Sequence, residues 1–234
     1  MSTSVTADMH GEAYLVRVDD GGVNALDLAM IDEMLTAIAA APADAALVIA
    51  GRPGYLTAGL DRSVMLGPDR AAVSCSLRRV TDLLEMVLRH PGPTVVACTG
   101  HALAAGALLL LVADHRIGAR VTSKIGFNES RIGLPLGPLA VAAARARLDP
   151  RALVQATVQG VVYDAVDALA VGYLDALAEA DSVVDASVAH AVSLSKLNRK
   201  AYLRTRELLW APVRTEVSEA LARRAGKTAA TATS

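Results

Sequence analysis

Aromatic residues are scarce in this sequence: they make up 3% of its 234 residues, with one Phe and one Trp. Hydrophobic residues of all kinds nevertheless reach 53%, so the core must be built mainly from Ala, Leu and Val. A chain of this length can enclose one substantial core. We therefore expect one folded core with a helical appendage.

Neither sign of charge is in excess. The chain carries 23 Lys and Arg against 24 Asp and Glu, a formal net charge of -1 at pH 7, and these residues are scattered along it. A nucleic-acid-binding protein needs a basic patch to meet phosphates. The composition thus argues against a nucleic-acid partner.

Cysteine is equally scarce, and no metal-ligand spacing is present. Cys75 lies in a helical pattern and Cys98 in a strand pattern, which favours a reducing compartment. His101 is predicted to be a hydrogen-bonded structural histidine, and His115 to belong to a salt-bridged strand end, so no metal is expected. The N-terminal residues lack the basic start and apolar stretch of a signal peptide, and we expect a cytoplasmic protein.

One apolar run, residues 95–113, approaches the length of a membrane-spanning helix. Gly100, His101 and Gly106 interrupt it, and Pro93 and Asp114 bound it. A buried strand, a turn at Gly100 and then directly a helix are the preferred interpretation, and no membrane segment is expected.

Short apolar strands alternate with amphipathic helices over most of the chain, which is typical of parallel strands joined by crossover helices. The predicted strands cover residues 14–18, 46–50, 94–99, 114–119 and 173–177. Predicted helices begin at Asp27 and at Gly100 and cover residues 69–89, 149–160, 164–171 and 185–210, and residues 52–66 are predicted to be a loop. We assign residues 1–180 to an α/β core and 181–234 to a helical region whose last residues, 228–234, form a disordered tail.

Two segments carry the chemistry. In residues 98–119 a helix N-terminus follows Gly100, and its unpaired N–H groups suit a developing negative charge. In residues 125–135 Glu129 is one carboxylate among small and apolar side chains. Together they predict an anion hole and a base, the minimum for enolate chemistry. The alternative for Glu129 is a capping carboxylate paired with Arg131 or Lys124.

Four motifs occur in an order that resembles the crotonase superfamily, the enoyl-CoA hydratases and isomerases. They are VNAL (residues 23–26), AGLD (58–61), the strand–Gly–helix segment and IGFNESRIGLP (125–135), and the resemblance covers residues 14–177. It implies an α/β fold of stacked ββα units, the ClpP/crotonase fold, with a helical C-terminal portion. It also implies a homotrimer or a dimer of trimers acting in fatty acid metabolism.

The resemblance assigns an oxyanion hole to the backbone N–H groups of Leu60 and Ala105. Many relatives carry three glycines where this chain has Ala104, Ala105 and Gly106. The substrate is then an acyl-CoA thioester, and coenzyme A is part of that substrate rather than a separate cofactor. The residues expected to contact it are Ala58, Gly59, Asp61, Arg62 and Leu108, with Arg62 facing the CoA moiety. The basic residues of the last predicted helix are expected to be a solvated face.

Leu108 departs from the hydratase pattern. Enoyl-CoA hydratases resemble one another in having a glutamate there and another at the position of Glu129, and two carboxylates suit the addition of water. With Glu129 alone, the chain resembles Δ3-Δ2-enoyl-CoA isomerases, in which one base moves a proton from C2 to C4. Two alternatives stay open: a hydratase that uses a single Glu, and a non-catalytic acyl-CoA-binding protein.

Overall fold

The computed structural model describes residues 3–231, and side chains over residues 3–219. Its strands are β1 Val5–His10, β2 Ala13–Val18, β3 Ala25–Leu26, β4 Ala46–Gly51, β5 Gly54–Thr57, β6 Gly59–Leu60, β7 Thr94–Cys98, β8 Gly100–Leu103, β9 His115–Ala119, β10 Ile125–Gly126 and β11 Ala176–Ala178. Its helices are α1 Leu28–Ala39, α2 Arg62–Met65, α3 Arg70–Arg89, α4 Ala105–Val112, α5 Pro138–Arg147, α6 Leu153–Thr157, α7 Ala165–Val171, α8 Val183–Ser195 and α9 Arg199–Thr231, with a 3₁₀ turn at Glu129–Ile132.

A six-stranded sheet in the order β1-β2-β4-β7-β9-β11 forms the centre of the fold. Its neighbours pair in parallel except for the β1–β2 hairpin. The predicted parallel α/β core is therefore confirmed, and β1 is a strand that the sequence reading missed. Alternate side chains of these strands face opposite sides: Leu15, Val48 and Val95 pack with Ala191 of α8, whereas Val16, Ile49 and Val96 belong to the larger core with α1, α3 and α4.

Two smaller sheets correct the prediction for the centre of the chain. Residues 52–66 are not a plain loop, because β5 joins the sheet β10-β8-β5 and β6 pairs with β3. The chain also does not pass directly from Gly100 into a helix: β8 intervenes and α4 begins at Ala105. A Cβ at Gly100 would lie 2.1 Å from the backbone of Gly54. Such short strands exist because distant segments meet there, which local periodicity does not report.

The C-terminal half contains more breaks than the sequence pattern indicated. Helix α5, which Gly137 and Pro138 open, was not predicted, and the predicted helix 149–160 shortens to α6. The predicted helix 185–210 is two helices, because Asn198 opens α9 by accepting from the Ala201 N–H. Helix α9 continues to Thr231, into the predicted disordered tail; residues 232–234 lie outside the described residues.

Candidate active site

A network around Asn24 shapes the AGLD loop. Asn24 is fully buried with φ 52, and its side-chain amide donates to the carbonyls of Val18 and Leu56 at 2.9 and 3.1 Å. The Thr57 hydroxyl donates to the Asn24 carbonyl and accepts from the Gly59 N–H. The VNAL motif contained Asn24, but its role in holding this loop, like that of Thr57, emerges from the tertiary contacts.

The Leu60 amide is directed away from its partner strand. In the short β3–β6 pair the Asp61 N–H donates to the Leu26 carbonyl. Successive N–H groups of a strand point to opposite sides. The N–H of Leu60 therefore faces away from β3, as a donor to a ligand must.

Gly59 brings this loop against the start of α4. Its φ is +88, and a Cβ there would lie 2.8 Å from the Leu103 carbonyl oxygen, 2.9 Å from the Ala104 Cβ and 3.5 Å from the Ala105 nitrogen. Position 59 therefore requires glycine, because of both its positive φ and these close contacts. The segments that carry Leu60 and Ala105 consequently lie in contact, as the family resemblance implied.

The N-terminus of α4 has no side-chain cap. Ala104 occupies the N-cap position with φ 52 and ψ -113, a strained conformation for alanine, and makes no side-chain hydrogen bond to the first turn. The first N–H groups of a helix lack intrahelical acceptors and lie at the positive end of its dipole. The Ala105 N–H is therefore suited to a developing oxyanion.

A strand pairing joins the segment that carries Glu129 to the start of α4. Strand β10 pairs with β8, and the Gly126 carbonyl accepts from the Ala104 N–H at 3.1 Å. Glu129 follows Gly126 by three residues and opens the 3₁₀ turn. The base candidate is thereby tied to the residue that precedes the Ala105 donor.

The Glu129 carboxyl is largely removed from water. Its Oε2 is buried and has no hydrogen-bond partner within the described residues. Burial raises its pKa above the usual value of 4.5, and the backbone of Glu129 and Asn128 partly opposes this rise. Arg131 donates to the Gly160 carbonyl, and no ion pair joins either Arg131 or Lys124 to Glu129 in the described part of the chain. The capping alternative is not supported.

The other predicted site residues differ in their exposure and contacts. Leu108 follows Ala105 by one turn and belongs to the buried core. Asp61 caps α2 by accepting from the Ser63 N–H and hydroxyl, and these hydrogen bonds lower its pKa. Ala58 is half-buried, whereas Arg62 is exposed at the start of α2. The AGLD loop thus ends in an exposed cation, Arg62, while Ala58 at its start is half-buried.

The histidines and the last helix have structural contacts. His101 accepts from the Lys124 N–H at 2.8 Å, in keeping with the predicted structural role. His115 begins β9, and its Nδ1 lies 3.5 Å from the carboxylate of Asp175, a residue distant in the sequence. Arg206 does not belong to a solvated face: it is buried against Asp114 at 2.9 Å. Over residues 3–231 the structure contains no cluster of His, Cys, Asp or Glu that could hold a metal.

A surface cleft of about 500 Å³ lies at the ends of α1 and α3. It is lined by Ile38, Asp82, Met86 and Arg89, among others, and none of the predicted site residues described in the structure borders it. This cleft therefore does not contain the candidate site. We base the assignment on the buried carboxyl and the helix N-terminus. Among the described residues, no helix is long and apolar enough to cross a membrane.

Known proteins of one family are similar to this chain in sequence and fold. A probable enoyl-CoA hydratase of Mycobacterium avium is 33% identical over 147 residues, which cover 63% of this chain and 57% of the relative, so the chain spans little more than half of that relative's length. A solved structure from Mycobacterium tuberculosis, described as an enoyl-CoA isomerase, matches with a TM-score of 0.90 and 32% identity over 97% of this chain and 99% of that chain.

Human mitochondrial Δ3-Δ2-enoyl-CoA isomerase shares the fold, with a TM-score of 0.86 and 21% identity over 94% of this chain and 87% of that one. The family model for enoyl-CoA hydratase/isomerase matches residues 13–233. The fold, the four motifs in order and this match together show that the chain belongs to the enoyl-CoA hydratase/isomerase family of the crotonase superfamily.

Proposed function

We propose that this protein isomerises a 3-enoyl-CoA to a 2-enoyl-CoA. The observation that carries the proposal is the pairing of one buried carboxyl, Glu129, with a leucine at position 108. Addition of water calls for groups that hold and activate the water, and Leu108 offers none. A shift of a double bond requires a single base.

The chemistry balances with this chain's own groups. The Leu60 and Ala105 N–H groups donate to the thioester oxygen, while the Glu129 carboxylate removes a proton from C2. The electron pair of that C–H bond moves into a dienolate whose oxygen is stabilised by the two donors, each worth about 3 kcal/mol. Glu129 then returns the proton at C4, and the double bond comes to lie between C2 and C3.

Burial suits Glu129 to this task. A carboxyl with a raised pKa is a stronger base than an exposed glutamate, and it is better matched to proton exchange with carbon near neutral pH. The Ala105 N–H sits at a helix terminus without a competing side-chain cap, so the donor is available to the substrate. Ala58, Gly59 and Asp61 form the loop against the substrate, and the exposed Arg62 is proposed to meet the phosphates of coenzyme A.

The test is turnover of trans-3-enoyl-CoA and trans-2-enoyl-CoA by the wild type and by Glu129→Gln, an isosteric change. We expect conjugation of the first substrate, no hydration of the second, and a loss of at least about 100-fold in the variant. Hydration of trans-2-enoyl-CoA by the wild type at a comparable rate would instead identify a single-Glu hydratase. Binding of both esters without turnover would identify a non-catalytic acyl-CoA-binding protein.

The assembly and location of the protein remain predictions from the resemblance. A homotrimer or a dimer of trimers is tested by sedimentation equilibrium of the full chain. Helix α9 exposes Leu208 and Leu209 at 59% and 64%, and an interface between copies would cover such side chains. A cytoplasmic location is tested by cell fractionation.

A further inference from the structure

Three aromatic rings cluster beside the segment that carries Glu129. The ring centroid of Tyr173 lies 5.9 Å from that of Phe127, edge to face, and 6.0 Å from that of Tyr163. Phe127 precedes Glu129 by two residues. Ile125 and Tyr163 exchange both of their backbone hydrogen bonds at 2.9 Å. The segment that leads to the base and the segment that carries Tyr163 are therefore held together.

An ion pair between the buried Arg116 and Asp175 holds the chain on either side of Tyr173. Tyr173 follows Gly172, which ends α7 with φ 95. Two residues later, Asp175 accepts from the Arg116 guanidinium at 2.7 Å and from the Arg116 N–H at 2.9 Å. The guanidinium also donates to the Gly172 carbonyl. Since Arg116 is 2% exposed and Tyr173 is fully buried, the tyrosine ring has little freedom to move.

Four polar atoms of these rings and of the segment beside them are buried without a hydrogen-bond partner among the described residues: the hydroxyls of Tyr163 and Tyr173, Oε2 of Glu129 and Oδ1 of Asn128. Unpaired buried polar atoms are rare in native proteins, and each requires an explanation. Here one unpaired acceptor is a carboxyl oxygen, which needs a donor when it is ionised. Tyrosine hydroxyls are donors.

The charges that act on the two tyrosines differ. Burial, followed by the charges of Tyr163 and Glu129, raises the pKa of Tyr173, with the backbone of Phe127 opposing the rise. Burial and the charge of Asp167 raise the pKa of Tyr163. Tyr173 therefore stays a protonated donor at neutral pH, and its ring is the one that contacts Phe127, two residues before Glu129.

We propose that Tyr173 is a positioning residue for Glu129, and that its hydroxyl donates a hydrogen bond to the ionised carboxylate. The inference rests on the proposed role of Glu129 as the base. The hydrogen bond orients the carboxylate and limits the rise in pKa that burial causes, so that the base is ionised at neutral pH. No proton is transferred to or from Tyr173.

The experiment compares Tyr173→Phe with Tyr163→Phe, which removes the same atom from the neighbouring ring. The titration of Glu129 is followed by carbon-13 NMR of labelled glutamate, and Glu129→Gln assigns the signal. We expect Tyr173→Phe to raise the pKa of Glu129 by roughly one pH unit and to move the acid limb of kcat/KM for 3-enoyl-CoA upward with it. Tyr163→Phe should move neither. An unchanged pKa in Tyr173→Phe, or equal shifts in both variants, would overturn the proposal.

A measurement on the unmodified ring keeps the test valid if Tyr173→Phe does not fold. In the wild type, the carbon-13 signal of the Tyr173 Cζ should follow the titration of Glu129, and this inflection should vanish in Glu129→Gln. A flat signal in the wild type rejects the contact. If the wild type does not isomerise 3-enoyl-CoA, the proposed function fails, whereas the two NMR titrations still decide the contact.

Discussion

Glu129 is a carboxyl group that the fold keeps from water, and its ionisation therefore couples to folding. Its pKa is raised in the folded chain above the usual value of 4.5, so the folded state binds this proton more tightly than the unfolded state. The free energy of unfolding must then fall as the pH rises from the usual value through the raised one, and level off above it.

Glu129→Gln removes this coupling while preserving the shape of the side chain. We expect the variant to be more stable than the wild type at neutral pH, with the difference shrinking to nothing below about pH 4. Urea unfolding at a series of pH values measures it. A difference that is the same at every pH would show that Glu129 is not buried as a charged group.

Ala104, which precedes the proposed donor Ala105, has a strained backbone. Its φ of 52 with ψ -113 is unfavourable for any residue with a Cβ. We expect Ala104→Gly to raise the free energy of unfolding by about 1 kcal/mol, because relief of strain exceeds the entropy that glycine adds to the unfolded chain. Thermal or urea unfolding measures the change.

Ala107→Gly is the matched control, since Ala107 lies in the interior of the same helix. There the substitution should lower the free energy of unfolding by about 1 kcal/mol. If the two variants lose stability equally, then Ala104 is not strained in solution.

At the scale of the element, α4 carries the proposed donor at one end and is otherwise buried in the core. Its N-terminus presents the Ala105 N–H, and its body is buried in the core from Gly106 to Val112. Its C-terminal end is held by Arg147, whose guanidinium donates to the carbonyls of Leu111 and Ala113 and lies over the ring of Trp210. A cation is favourable at this end of a helix. The donor is thus fixed by contacts made at both ends of a short helix.

Leu108 is the position on α4 at which the choice of reaction can be tested. Leu108→Glu adds a second carboxylate one turn from the Ala105 donor. We expect hydration of trans-2-enoyl-CoA to rise at least about tenfold above the wild-type level, and the free energy of unfolding to fall by about 2 kcal/mol because a charge is buried. Stopped assays with the purified variant measure the first effect.

Leu108→Gln, which has the same size without the acid group, separates chemistry from shape. It should not gain hydration. If neither variant hydrates the substrate, or if both do, the residue at position 108 does not decide between isomerase and hydratase chemistry.

At the scale of the whole molecule, a largely buried arginine is one of the residues that join α9 to the core. Arg206 donates to Asp114 at 2.9 Å, to the Gly92 carbonyl at 2.8 Å and to the His90 carbonyl. Asp114 in turn accepts from the N–H and the hydroxyl of Thr94, where β7 begins. The helix is therefore fixed to the loop that precedes the central strand.

Arg206→Ala should lower the free energy of unfolding by about 3 kcal/mol, because it leaves Asp114 buried without its cation. Arg204→Ala removes the exposed pair between Arg204 and Glu207 two residues away and should cost less than about 0.5 kcal/mol. Urea unfolding of both variants measures the contrast. Similar losses in the two variants would mean that the Arg206 contacts stabilise the fold no more than an exposed ion pair does.

Residues with a strong local signal were predicted well. Asp27 caps α1 as its position indicated, and the helix predicted to start at Asp69 is α3. Strands β2, β4, β7 and β9 of the main sheet were predicted within one residue of both ends, whereas β11 begins three residues after its predicted start. These features depend on neighbours in the chain: a side chain that accepts from the next turn, or a run of apolar residues bounded by Gly and Pro. The sequence alone also showed that Glu129 is one carboxylate in a largely apolar segment, and that leucine occupies position 108, where the resemblance places a second glutamate in hydratases.

Tertiary structure decided what depends on distant contacts. Strands β5, β6 and β8 are too short to have a period, and they form where Gly59 and Gly100 let separate segments approach closely. The break at Asn198 and the burial of Arg206 follow from the docking of α9 on the core. The sequence determined which groups could react, since side-chain chemistry is a property of the residue. Only the fold determined that Oε2 of Glu129 is buried and that Phe127 packs against Tyr173, because burial and proximity depend on segments that lie far apart in the chain.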